Sequence, residues 1–153
     1  MDLVLELELI GRLILAALLG FLIGLERTLS GHYAGERTHA LAALGCATFM
    51  VLAIYAFPDS DPTRIAAGVV TGLGFLGAGM ILKREKEEVV HGLTTAAGIW
   101  VMGGIGLAIG IGMYVLGIGL TIIVGIILIS DDFLKIDQRI SKWKAGRAEN
   151  QSN

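Results

Sequence analysis

What this chain has least of is charge. Asp, Glu, Lys and Arg make up 17% of its 153 residues, and residues 92–130 carry none. Soluble domains average about 25% charged residues, so with 54% hydrophobic residues and a mean hydropathy of +0.73 an ordinary water-soluble globule is excluded. Cysteine is reduced to Cys46, which rules out an internal disulfide and, inside an apolar run, reads as a small core residue. The three histidines, at 32, 39 and 91, have no metal-ligand spacing, and no G-x-S-x-G nucleophile turn occurs; no enzyme is expected. No cofactor is called for apart from Mg²⁺ as a candidate ligand. A basic patch with interleaved aromatics is missing, so nucleic acid is not an expected partner. The first ten residues carry Asp2, Glu6 and Glu8 where a signal peptide would be basic, so the first apolar stretch is expected to be retained.

What is present is a series of apolar runs of membrane-crossing length. At about 1.5 Å of rise per residue, some twenty residues match a hydrocarbon core of roughly 30 Å. The runs predict an all-α integral membrane protein, a bundle of five transmembrane helices over residues 1–130. The spans fall at about 7–25, 40–57, 65–82, 93–109 and 113–130. The last two come from one uncharged run too long for a single crossing, with Gly110, Ile111 and Gly112 as the turn. Pro58 and Pro62 punctuate the connection before the third span, and Asp61 is placed to cap it. The bilayer itself is therefore the first partner.

The third span has the most glycine: Gly68, Gly72, Gly74, Gly77 and Gly79. Gly68 and Gly72 form a G-x-x-x-G step, as do Gly20 and Gly24 in the first span, and such steps let a neighbouring backbone approach closely. Other helices are expected to pack around 61–84, and leftover small-residue faces predict a homo-oligomer. Gly72, Gly74 and Gly77 also spell G-x-G-x-x-G, but inside an apolar helix this is no phosphate loop.

With the amino terminus outside, ten basic residues face the cytoplasm (Arg27, Arg37, Lys83, Arg84, Lys86, Lys135, Arg139, Lys142, Lys144 and Arg147). Arg64 then lies outside and Arg12 at the outer interface, where it is either an interface anchor or a transport residue paired with Glu8. Residues 131–153 read as a cytoplasmic tail opening with an amphipathic helix. Phe133, Ile136, Ile140 and Trp143 share one face of it, lying on headgroups or solvated.

Candidate functional residues collect at the boundaries. Glu26, Arg27, Arg37, Thr38 and His39 bracket one cytoplasmic loop, and Lys83, Arg84 and His91 the next. That rim either accepts an anionic headgroup, a phosphate or a protein, or is ion pairing such as Glu26 with Arg37. Thr94 and Thr95 open the fourth span. On the outer side Asp59 and Asp61 are either turn and cap residues or a weak metal pair.

GLER at 24–27, AGERTHALAALG at 34–45, DPTRIAAGVVTGLGFLGAGMIL at 61–82 and HGLTTAAGIWVMGGIGLAIGIGMY at 91–114 together resemble the MgtC/SapB family of bacterial inner-membrane proteins. The resemblance implies a five-span domain in the plasma membrane, tied to growth in low magnesium and, in pathogens, to survival inside host cells. The family's name points to magnesium transport, and inhibition of the proton-translocating ATP synthase is associated with some members. It carries over Glu26, Arg37, Thr38, Asp61, Arg64, Gly74, Gly77, Gly79, Thr94 and Thr95. Gly68 stands where the family commonly has glutamine, and His91 where it has a basic residue before GLTTAA. Longer members continue into an ACT-like cytoplasmic domain. Here residues 131–153 follow, so regulation of that kind is expected to be absent or supplied in trans. The functions to weigh are a magnesium-linked regulator that binds another membrane protein, an Mg²⁺ or other ion transporter, and a phospholipid or anion sensor at the cytoplasmic face.

Overall fold

The computed structural model describes residues 2–57, 59, 61–83 and 90–134. The described residues form five helices: α1 (Leu3–Leu29), α2 (Glu36–Tyr55), α3 (Pro62–Met80), α4 (Leu93–Gly110) and α5 (Tyr114–Leu134). α1 to α4 are each long and apolar enough to cross a membrane. The apolar part of α5, Tyr114–Ser130, is about 25 Å long at 1.5 Å per residue, the short end of what spans. The protein is thus an all-α helical bundle of membrane type. Between α3 and α4, strand β1 (Leu82–Lys83) pairs antiparallel with β2 (Val90–His91).

Successive helices run up and down. The α1–α2 turn brings Glu36 against Gly24, the far end of α2 places Tyr55 beside Arg12, and α4 ends where α5 begins, again beside Arg12. The bundle therefore has an Arg12 end and an Arg27 end. α1, α2 and α3 begin three or four residues before the apolar runs that announce them. α1 reaches back through Glu8 and Glu6 to its cap, Asp2, whose side chain accepts from Val4 N. α2 takes in Glu36, Arg37, Thr38 and His39, so these residues are helical where the sequence suggested a loop. α5 continues past Ser130 to Leu134 with no new helix start at Asp131; the proposed tail helix otherwise lies outside the described residues, as do Arg84 and Lys86.

The helix at the centre is α4, which corrects the expectation that others pack around 61–84. Ten of its eighteen residues are buried, including Ile99, Met102, Ile105 and Ile109, whereas only Leu73 and Gly77 are buried in α3. α4 is apolar all round, as a membrane span can be, and it leaves one strip with Ala97, Trp100 and Gly104 exposed. Its glycines also point at backbone: a Cβ on Gly106 would stand 2.5 Å from the Ala43 carbonyl, and one on Gly110 2.9 Å from that of Ala47. Of the α3 glycines only Gly77 lies against α4, its Cβ position 3.4 Å from Ala96 O. Gly68, Gly72, Gly74 and Gly79 have no atom within 4 Å of theirs, so they make no helix packing within this chain.

Candidate functional site

At the Arg27 end, the last turn of α1 folds a guanidinium back onto its own neighbour. Arg27, 3% exposed, donates from Nε to Glu26 Oε2 and from Nη2 to Glu26 Oε1 (2.5 Å), a two-pronged pair that Ser30 Oγ joins at 2.9 Å. Adjacent residues do not normally face each other on a helix. The helix ends just beyond them: Gly31 is left-handed (φ 76°), its N–H and that of His32 bond to Thr28 O and Arg27 O, and His32 Nε2 comes within 3.5 Å of Arg27 Nη1. Glu26 is therefore paired with Arg27 and not with Arg37, which is exposed on the first turn of α2. Thr28 Oγ1 accepts from Glu36 N (3.3 Å) and donates to the Glu36 carboxylate, tying the start of α2 to α1.

His39 lies one turn further in and is fully buried. Its Nδ1 is 3.0 Å from the Gly35 carbonyl. A carbonyl only accepts, so Nδ1 carries the proton and Nε2 presents a lone pair. That Nε2 has no hydrogen-bond partner and lies 3.5 Å from the Cβ position of Gly98 on α4. Gly20 on α1 makes room for the same residue, its Cβ position being 2.5 Å from His39 O. Three helices thus meet at His39. Thr95, buried and three residues before Gly98, belongs to that face of α4, while Thr94 is exposed and Thr38 half-buried.

The remaining sequence-derived candidates are at the other end. Asp61 caps α3, its Oδ1 accepting from Thr63 N (2.9 Å) and Thr63 Oγ1 (2.7 Å), which holds the carboxyl below its ordinary value. Asp59 and Arg64 are exposed. Among the described residues no group of three or more His, Cys, Asp or Glu is placed to share a metal ion.

The residue that sequence reasoning undervalued is Arg12. It is 9% exposed and uses its whole fork: Nη2 to Glu8 Oε1 (2.6 Å), Nε to Tyr114 Oη (3.1 Å) and Nη1 to Gly110 O (3.0 Å), with the Tyr55 ring 5.7 Å away. The Glu8 partner was visible as a four-residue spacing. Gly110 and Tyr114 lie about a hundred residues along the chain and Tyr55 lies on another helix, so no local spacing pointed to them.

The profile of the MgtC family matches residues 13–135. A protein described as "Putative magnesium transporter YhiD" from Escherichia coli K12 is 54% identical over 119 residues, covering 72% of this chain and 54% of that protein. "Protein MgtC" from Salmonella typhimurium is 46% identical over 112 residues, covering 73% and 47%. "Protein MgtC" from Brucella abortus is 48% identical over 98 residues, covering 64% and 40%. The chain thus spans about half the length of the curated relatives it matches. No solved structure gives a significant match. A match across most of the helical bundle, together with relatives near half identity, places this chain in the MgtC family.

Proposed function

We propose that this protein serves magnesium homeostasis and adaptation to low magnesium as a membrane-embedded regulator that binds another membrane protein. What carries the reading is α3. On that helix Ala67, Thr71, Gly74 and Ala78 recur at steps of four, three and four residues, one stripe down the helix, and all four are exposed. Thr71 Oγ1 is bonded back to Ala67 O, so the stripe presents no free donor to lipid. Small residues at such spacing let a second helix approach closely. The proton-translocating ATP synthase, which the family resemblance suggests, is the first partner to try. The protein sits in the bacterial inner membrane with its amino terminus outside, and it is not an enzyme.

The test is growth in low magnesium of a strain lacking the protein. The wild-type chain should restore growth, and Gly74→Leu, which reaches the membrane at the same level, should not. Full rescue by Gly74→Leu rejects α3 as the docking helix.

A second reading is Mg²⁺ transport, favoured by the description of the YhiD relative and by Asp59 and Asp61 exposed at the Arg12 end. A third is sensing of an anion or a phospholipid headgroup at the cytoplasmic rim, where exposed Arg37 stands. It predicts that Arg37→Ala abolishes binding.

A further inference from the structure

Between α2 and α3 lies a groove of about 500 Å³, well within the roughly 300–1,000 Å³ of small-molecule sites. Twelve residues line it, eleven of them apolar or glycine and the twelfth Arg64. Its depth comes from missing side chains: Gly45 on α2 and Gly68 and Gly72 on α3 have no atom within 4 Å of their Cβ positions. From Leu76 to Arg64 the α3 wall runs twelve residues, about 18 Å at the helical rise. Arg64 sits in the first turn of α3, at the boundary where the apolar lining ends, and among the described residues its guanidinium makes no hydrogen bond or ion pair. The carboxylate nearest in sequence, Asp61, is engaged by Thr63.

We propose that this groove holds one acyl chain of a phospholipid, with the lipid phosphate on Arg64. Apolar cavities stay dry, and a hydrocarbon chain asks nothing of a wall without donors or acceptors. The guanidinium fork matches phosphate oxygens, and its position at the groove's end is where a headgroup would emerge. A second copy of this chain is a poorer occupant. A two-fold pairing across the same groove brings two Arg64 side chains to one end, like charge beside like charge. The groove face of α3 (Gly68, Gly72, Leu76) is also offset around the helix from the stripe of Ala67, Thr71, Gly74 and Ala78. The inference therefore does not depend on the docking role proposed for that stripe.

The experiment is photolabelling of the full chain in nanodiscs of phosphatidylethanolamine and phosphatidylglycerol, the latter carrying a diazirine in one acyl chain. Label should concentrate on peptides containing Leu41–Phe49 and Gly68–Leu76. Gly68→Phe, which meets no backbone, and Arg64→Gln, which leaves the groove open, should each lower it severalfold while labelling at Ile122 and Ile126 on α5 stays unchanged. Even labelling of every exposed apolar helix face, or groove labelling indifferent to both variants, overturns the proposal. So does disulfide formation between copies carrying Gly68→Cys in a Cys46→Ala background, which would seat a second copy in the groove.

Discussion

Arg12 shows how one side chain completes the end of a helix distant in sequence. α4 stops in a motif closed by left-handed Gly112: Gly112 N–H bonds to Ile109 O (3.0 Å), Met113 N–H to Ala108 O (2.8 Å) and Ile111 N–H to Leu107 O (3.1 Å). Of the last four carbonyls only Gly110 O is left over, and Arg12 Nη1 donates to it. The cation also meets the negative end of the α4 dipole. Arg12→Met should therefore lower the unfolding midpoint in detergent, with a loss of about 1–3 kcal/mol for the deleted hydrogen bonds. Arg12→Lys should recover only part, since an ammonium lacks the fork; equal midpoints for wild type and Arg12→Met would contradict the assignment. Asp61 gives a pH prediction at the same scale. Thr63 depresses its folded-state pKa, so the cap contributes fully above the ordinary carboxylate value of about 3.9 and is lost as pH falls through the lowered one. The midpoint difference between wild type and Asp61→Ala should be largest at neutral pH and shrink in acid. A difference that grows in acid would reverse the sign. Residue by residue, the sequence revealed local partners such as Glu8 with Arg12 and Asp61 with the start of α3. It could not reveal Gly110 or Tyr114, because that meeting depends on how two distant helix ends are stacked.

At the scale of elements, apolar runs located each of the five described helices, since a bilayer leaves few other uses for twenty uncharged residues. Their ends were less legible: α1 and α2 extend through charged residues that a hydropathy reading assigns to loops, and hydrogen bonds such as those of Glu26, Arg27 and Thr28 make that extension stable. Which glycines pack was legible only in part: the Gly20–Gly24 step stood out as a place of close approach, whereas nothing marked Gly106 and Gly110. α3 has the denser glycine pattern, yet the glycines pressed on neighbouring backbone are Gly20 and Gly24 on α1 and Gly106 and Gly110 on α4. A glycine count says where a backbone can approach, and the faces turned inward decide where one does. The contrast is testable. Gly20→Val forces a side chain onto His39 O and should destabilise the protein by about 1–3 kcal/mol, whereas Gly72→Val faces open space and should leave the midpoint of the purified protein near the wild-type value. Equal losses for the two variants would refute the assigned α3 face.

For the whole molecule, two ends of unequal character follow from the up-and-down course of the chain. The Arg27 end carries the internally paired Glu26–Arg27 unit and buried His39, and the Arg12 end carries the α4 cap and the exposed Asp59 and Arg64. Because Cys46 is buried, a Cys46→Ala background supports reporter cysteines. Leu29→Cys should react with an impermeant thiol reagent only from the cytoplasmic side and Asp59→Cys only from outside, and the reverse pattern would invert the proposed orientation. The match to about half of each relative leaves the domain's own contribution as the point to settle, and regulation and transport differ most sharply in a two-component system. The direct measurement is Mg²⁺ flux into sealed vesicles containing this protein alone, under an imposed Mg²⁺ gradient with and without a membrane potential. A regulator that acts through a partner predicts flux no greater than that of empty vesicles. Saturable Mg²⁺ entry that disappears in Asp59→Asn/Asp61→Asn would contradict that account and make the protein a transporter.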